Sequence, residues 1–333
     1  MRAKIAIALG IVYVVWGSTY LAIAVADRTL PPLLMLAVRF GLAGGLLYAW
    51  SAWRGDVTAA RLGRREWIAA AVVGGLLLFV DTGGVAWAEQ RVASGMTALL
   101  IATVPLFAAL LDRTFFGVRL SLGALAGIAA GLLGVALLVG QSGHVDPVGA
   151  AVILVAALAW AAGSAYGRVA PLPQAPFLSA AMQMLCAAAL LGVAGAGMGE
   201  VGRVHPAAIS AGSAAAFAFL VVFGSIVAFT AYGWLLRSGA PSVLVSTYAY
   251  VNPAVAVFLG WALAGEAVGG RELAAGAIVV ASVGMLVLAR HAPQEDAEDT
   301  AETADPDVQH RDAQERPLPR PVPQLADLRR LAP

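Results

Sequence analysis

The chain is 333 residues long, 60% hydrophobic and only 12% charged, whereas soluble domains carry roughly a quarter charged residues. Such a composition excludes an ordinary water-soluble globule and makes a lipid bilayer the natural solvent. A formal net charge of +1 singles out no partner, and neither nucleic acid nor a cofactor is expected.

Apolar runs of about 18 to 25 residues, the length a helix needs to cross the hydrocarbon core, recur between short loops rich in Arg, Gly and Pro. Ten spans are predicted, at residues 4–26, 32–53, 67–88, 94–111, 122–140, 148–167, 176–198, 212–236, 242–263 and 272–289. These runs are too long for spanning strands and lack strict alternation. The fold class is therefore an all-α polytopic membrane protein. Arg2 and Lys4 ahead of a run ending in Ala24-Val25-Ala26 look like a secretory signal, but the run is longer than a signal core and nine more follow it. It reads as a retained first helix.

With the amino terminus inside, the cytoplasmic set of basic residues is Arg2, Lys4, Arg54, Arg61, Arg64, Arg65, Arg113, Arg119, Arg168, Arg237 and Arg290. The opposite side has Arg28, Arg91, Arg203 and Arg271. Lys and Arg are retained on the cytoplasmic face, so both termini are expected there, in a multi-pass protein of the inner (plasma) membrane. The single cysteine, Cys186, permits no intrachain disulfide. Residues 291–333 carry ten acids and seven prolines, which predicts a disordered cytoplasmic tail, either merely solvated or used for docking.

The second half echoes the first. At a spacing of 144, Trp16 falls on Trp160 and Pro32 on Pro176; at 148, Ser94 falls on Ser242 and Pro105 on Pro253. The expected organisation is one five-helix repeat over residues 1–140 and another over 148–290. An odd number of crossings sends the second copy into the membrane from the other face, so the repeats are inverted. Arg54, Arg61, Arg64 and Arg65 lie in one loop, whereas its counterpart has Arg203 alone, the switch in charge that inversion requires. Inverted repeats place a binding site near the midplane and alternate its access by rocking. This is the physical argument for transport.

Several residues within the spans are candidates for that site. Pro105 and Pro253 sit mid-span at equivalent places and are hinge candidates, although membrane helices also tolerate proline without a functional kink. Arg39 and Asp81 each lie about seven residues inside an outer helix end, roughly 10 Å deep at 1.5 Å per residue. They can pair, as a structural salt bridge or as a gate or substrate site. Gln183, the counterpart of Arg39, is neutral. Glu89 is an ion-coupling candidate at the cavity mouth, or else a solvated cap paired with Arg91. Asp112, Arg113 and Glu266 read as solvated boundary charges. Tyr13, Trp16 and Tyr20 share one face of the first helix, and Tyr248 and Asn252 share a face of the ninth. With Trp160 they form either a stacking wall for a flat or cationic solute or ordinary interhelical packing. Ser18, Thr19, Ser164 and Tyr232 are weaker polar candidates. Gly123, Gly127 and Gly131 form a small-residue ridge, for packing within the subunit or for a homodimer seam.

The segments Trp16-Gly17-Ser18-Thr19-Tyr20, Pro31-Pro32 with Arg39, Ala88-Glu89-Gln90-Arg91-Val92-Ala93-Ser94-Gly95 and Thr103-Val104-Pro105-Leu106 resemble EamA-type transporters of the drug/metabolite transporter superfamily. The block from Ala88 onward resembles the YedA-like exporters among them. The resemblance covers residues 1 to about 290 and is looser in the second half, where Asn252-Pro253 and Gly265-Glu266 match best. It departs at Val118-Arg119, where the family often has a glutamate. It implies ten helices, two repeats, a central cavity and export of small metabolites or drugs, with amino acids, their derivatives or cationic drugs favoured in that order.

Enzymatic signatures are absent from the sequence. His144, His205, His291 and His310 all fall outside the predicted spans, and no Cys or His cluster has metal-ligand spacing. No Gly-rich segment forms a phosphate loop. The expectation is a secondary carrier that exports a small organic solute by alternating access, with no metal and no cofactor. A channel-like facilitator, or a membrane sensor or scaffold acting through the tail, are the alternatives.

Overall fold

The computed structural model describes residues 2–60, 62–116, 122–139, 146–167, 169–237, 248–265 and 269–289. The tail at 291–333, and with it the expectation of disorder, lies outside the described residues, as does Glu266. Among the described residues the chain is helical and contains no strand. In chain order α1 spans Arg2–Ala26, α2 Pro32–Trp53 and α3 Arg64–Ala88; α4 runs as two segments, Ser94–Ile101 and Val104–Phe116; and α5 spans Leu122–Val139. The second half has α6 at Pro147–Gly167, α7 at Pro176–Gly197, α8 built from Ala211–Phe219, Leu220–Val227 and Ala228–Arg237, α9 at Tyr248–Ala264 and α10 at Gly270–Ala289.

Among the described residues seven helical stretches are long and apolar enough to cross a membrane: Ala3–Ala26, Pro32–Trp53, Arg64–Ala88, Ser94–Leu111, Pro147–Gly167, Pro176–Gly197 and Ala211–Tyr232. In lipid every backbone polar group must be satisfied internally, and a helix does this within one segment. The side chains follow the same solvent logic. On α2, Leu36, Phe40, Ala43 and Leu47 are buried, while Val38, Leu42 and Leu46 are exposed on another face. Both faces are apolar because both meet apolar surroundings. Trp50 and Trp53 sit ring to ring, 5.1 Å apart, at the end of this helix, where an aromatic pair suits a membrane–water boundary.

Helix starts follow local chemistry. Pro32 opens α2, where its missing N–H is no loss. At the start of α3, Glu66 Oε2 accepts from the Gly63 N–H at 2.8 Å. Beyond α7, Gly199 adopts φ +74°, a left-handed conformation that favours glycine, and turns the chain into a short 3₁₀ helix at Glu200–Arg203.

Packing pairs the halves. Helix α2 packs on α7 and α5 on α10; α1 packs on α8 as α6 packs on α3; and α1 packs on α9 as α6 packs on α4. Exchanging the two halves maps this set of contacts onto itself. Small residues let the pairs approach closely: a Cβ at Gly44 of α2 would lie 3.0 Å from the Met184 Cβ of α7, and one at Gly74 of α3 would run into the Gln183 backbone. A buried cluster joins Leu36, Phe40 and Ala43 to Ala181, Met184 and Leu191 across α2 and α7. Gly131 of the α5 ridge faces Leu106 of α4 and Ser282 of α10, so at this position the ridge serves packing within the chain.

Two irregularities were not expected from the sequence. Helices α3 and α8 each contain a π-helical stretch of 8 residues, Gly75–Thr82 and Leu220–Val227. The two stretches are 145 positions apart at both ends, so they occupy the same place in each repeat. Helix α4 also differs from expectation. Instead of kinking at Pro105 it breaks at Ala102 and Thr103, where the Thr103 hydroxyl donates to the Leu100 carbonyl at 2.7 Å. Pro105 then falls in the first turn of the new segment, where it breaks no hydrogen bond. By contrast α9 runs continuously through Pro253.

At one end of the bundle three polar contacts tie the halves together. The buried Glu200 side chain, 2% exposed, accepts from the Leu34 N–H at 2.9 Å and from the Leu33 N–H at 3.4 Å, capping α2. The Ser210 N–H donates to Thr29 Oγ1 at 3.2 Å, and the Ser213 hydroxyl donates to the Val25 carbonyl at 3.0 Å.

Candidate functional site

A cavity of about 100 Å³ lies between the two halves, bounded by α1, α2, α3 and α4 on one side and α6, α8 and α9 on the other. One wall is aromatic. Trp16 is its centre, with ring centroids of Trp160 at 6.0 Å, Phe229 at 5.6 Å, Tyr232 at 5.0 Å and Tyr248 at 5.5 Å. Most of these contacts are edge to face, the arrangement favoured by ring quadrupoles. The Tyr232 and Tyr248 rings also meet edge to face, with centroids 5.8 Å apart. With its amide nitrogen toward them, Asn252 donates to the Tyr248 and Tyr13 carbonyls at 3.2 Å each, which ties α9 to α1. Gly17 makes this close crossing possible, since a Cβ there would lie 2.7 Å from the Val255 Cβ.

The opposite wall is charged. Arg39, 4% exposed, comes from α2, and Asp81, 7% exposed, from the π-helical stretch of α3. The expected Arg39–Asp81 pair is not formed. Among the described residues no ion pair joins them. Arg39 Nε instead donates to Ser225 Oγ at 2.8 Å, the Arg39 NH1 group has no hydrogen-bond partner, and its guanidinium carbon lies 4.9 Å from the Phe40 ring centroid. On Asp81, Oδ1 has no hydrogen-bond partner, and the neighbouring Thr82 hydroxyl donates to the Leu77 carbonyl at 3.3 Å. Both residues line the same cavity, but their direction differs from the expectation, because Arg39 reaches across to α8. An arginine and an acidic side chain therefore line one small cavity without an ion pair between them.

Of the candidates named from the sequence, Trp16, Tyr20, Arg39, Asp81, Trp160, Tyr248 and Asn252 line the cavity. Thr19 lines it too, its hydroxyl donating to the Trp16 carbonyl at 2.6 Å. Gln183 does not: its Nε2 donates to Ser179 Oγ at 3.0 Å on α7. Glu89 is half-buried at the end of α3, within electrostatic reach of the Tyr20 hydroxyl. Arg91, its suggested partner, has its ion pair with Asp146 at 3.7 Å and lies 4.0 Å above the Trp87 ring. Sequence reasoning missed Phe40, Thr82, Phe229 and above all Ser225, which lies in an apolar run without any local signal of a π turn.

Asp27 is a second titratable feature, one residue beyond α1. Neither carboxyl oxygen has a hydrogen-bond partner. Burial first, and then the nearby Glu200 charge, push its carboxyl from the ordinary 3.8 up to about 8. Among the described residues no group of three or more His, Cys, Asp or Glu could hold a metal ion.

The sequence pattern of the EamA-like transporter family matches both halves that flank the cavity, at residues 4–140 and 147–288. The chain belongs to this family. It is 39% identical over 287 residues to the inner membrane transporter YedA of Escherichia coli strain K12, covering 85% of the chain and 90% of YedA. A probable amino-acid metabolite efflux pump of the same strain is 29% identical over 161 residues, 47% of the chain and 51% of the pump. A crystal structure with 22% sequence identity superposes with a TM-score of 0.60, over 87% of this chain and 99% of the other. That similarity shows a shared fold. An EamA-like protein with this cavity is a membrane transporter.

Proposed function

We propose that this EamA-like protein is a secondary carrier of the inner membrane that exports small organic solutes, amino acids or their derivatives foremost and drugs second, by alternating access. The observation that carries the reading is that Arg39 and Asp81 line one cavity without pairing with each other. The free donors of Arg39 suit a carboxylate, the free Oδ1 of Asp81 suits an ammonium group, and the aromatic wall around Trp16 suits the apolar body of the solute. The printed description of the amino-acid metabolite efflux pump points the same way.

Ten spans in two inverted five-helix repeats, at 1–140 and 148–290 with both termini cytoplasmic, fit the exchange symmetry of the helix contacts. Trp16 and Trp160 would then lie near the pseudo-twofold axis. The break before Pro105 and the Asn252-Pro253 step are the points where the halves flex, and Glu89 is the ion-coupling candidate. In this arrangement Glu200, Ser210 and Ser213 close the outer end against α1 and α2. The test is counterflow in proteoliposomes loaded with amino acids, polyamines, sugars or cationic dyes. Saturable exchange of an amino acid, weakened by Arg39→Gln, is the expected result; no exchange across the panel by folded protein would overturn the proposal.

A further inference from the structure

We infer that Ser225 and Gly224 are positioning residues that hold the Arg39 guanidinium away from Asp81, so that the cavity presents a cation and a carboxylate to one solute instead of an internal salt bridge. The inference rests on the carrier reading above and deepens it, because it specifies a solute that bears both an anionic and a cationic group.

Three observations lead to it. First, the acceptor that Ser225 offers is neutral. Arg39 Nε donates to its hydroxyl at 2.8 Å, so the guanidinium is anchored without losing its charge. Ser225 is fully buried and is not part of the cavity lining, so it acts on the solute only through Arg39. Second, the residue beside it is a glycine whose missing side chain leaves room for the guanidinium where it now sits. A Cβ at Gly224 would lie 2.9 Å from Arg39 NH2 and 3.3 Å from Thr19 Cγ2. The bare backbone is the seat into which the guanidinium fits.

Third, both partners owe their direction to the π turns. Asp81 lies in the π stretch of α3, and Gly224 and Ser225 lie in its counterpart in α8. A π turn accommodates one extra residue, and in an α-helix each residue advances the side-chain direction by about 100°. Regular α-helix at these two places would swing Asp81, and the seat of Arg39, off the cavity. The repeated π turn therefore aims a carboxylate from one half and an arginine anchor from the other at the same space.

Without the Ser225 hydroxyl the buried Nε–H has lost its acceptor, and Asp81 is the charged acceptor on the same cavity. Arg39 then turns to Asp81, and a solute must break that pair to bind. The experiment measures proteoliposome counterflow of L-leucine, of 3-methylbutylamine, which lacks the carboxylate, and inhibition by 4-methylpentanoate, which lacks the amine. Ser225→Ala raises the KM for leucine about tenfold, the loss expected for one hydrogen bond to a charged group, with the maximal rate within about twofold. Gly224→Ala has the same effect or a larger one.

The decisive comparison is the double variant Ser225→Ala with Asp81→Asn. In direct binding of 4-methylpentanoate to purified protein, which needs Arg39 but not the ammonium site at Asp81, removal of the carboxylate that captures Arg39 restores affinity to about the wild-type level, whereas a purely structural role for Ser225 leaves the double variant as impaired as the single one. A single variant with wild-type KM, or a double variant without recovery, overturns the inference while leaving the carrier reading intact. Absence of exchange by the wild type for leucine and for every other solute of the panel overturns both.

Discussion

Trp16 and Trp160 occupy the same position in the two halves of the chain, and their rings meet edge to face with centroids 6.0 Å apart. A residue that touches its own repeat equivalent lies where the two halves meet. The cavity is built around this contact, and Trp16 gathers four aromatic rings from α6, α8 and α9 onto α1.

Trp16→Ala should therefore cost both stability and transport. Emptying a packed aromatic site costs about 3–5 kcal/mol, so the unfolding temperature in detergent should fall and counterflow should be lost. Trp16→Phe, which keeps an aromatic face, should lie between. A Trp16→Ala protein with wild-type melting and flux would show that the cluster is not the centre of the site.

Glu200 caps α2 from the other half of the chain. Glu200→Ala leaves the Leu33 and Leu34 N–H groups without that acceptor, and loss of a helix cap costs about 1–2 kcal/mol. Thermal unfolding of purified protein should report the loss, and Glu200→Gln, which keeps a carbonyl acceptor, should recover most of it. Equal melting of the alanine variant and the wild type would contradict the capping role.

Asp27 makes a prediction about pH. Its carboxyl is held at about 8 in the folded protein against an ordinary 3.8, so the folded state binds the proton more tightly than the unfolded chain does. The contribution to stability is fully present below about pH 4, erodes as pH rises and is lost above about pH 8. Between about pH 5 and about pH 9 the wild-type melting temperature should fall more steeply than that of Asp27→Asn. Parallel slopes for the two proteins would refute the assignment.

Deleting residues 291–333 tests the alternative in which the tail carries the function. Since the described lining of the cavity lies within residues 16–252, counterflow by the truncated protein should match the full chain within about twofold, a span set by ordinary scatter in small free-energy differences. Loss of flux on truncation would revive the scaffold reading.

What the sequence made legible follows from what costs energy in a membrane. Arg39 and Asp81 stood out because buried charge within an apolar run is expensive, and Trp16 and Trp160 because a rare residue recurred at the repeat spacing. Whether Arg39 and Asp81 meet was a question of direction around the helix axes, and the two π turns, which leave no trace in apolar periodicity, answered it differently from a regular helix. Ser225 was hidden because a serine in an apolar helix can satisfy its own backbone and so raises no alarm. Glu200 was hidden for the opposite reason: a carboxylate in a loop is ordinarily solvated, and only the fold brings it under α2. Gln183 shows the limit of repeat arithmetic, since it is the counterpart of Arg39 in sequence yet bonds to Ser179 outside the cavity.

The most direct test of a carrier that binds its solute between Arg39 and Asp81 is amino-acid counterflow by purified protein in proteoliposomes, comparing the wild type with Arg39→Gln and Arg39→Lys. The account predicts saturable exchange by the wild type, a drop of about tenfold or more with glutamine, and little rescue by lysine, which lacks the guanidinium fork. Linear, unsaturable flux, or exchange that both substitutions leave unchanged, would contradict it.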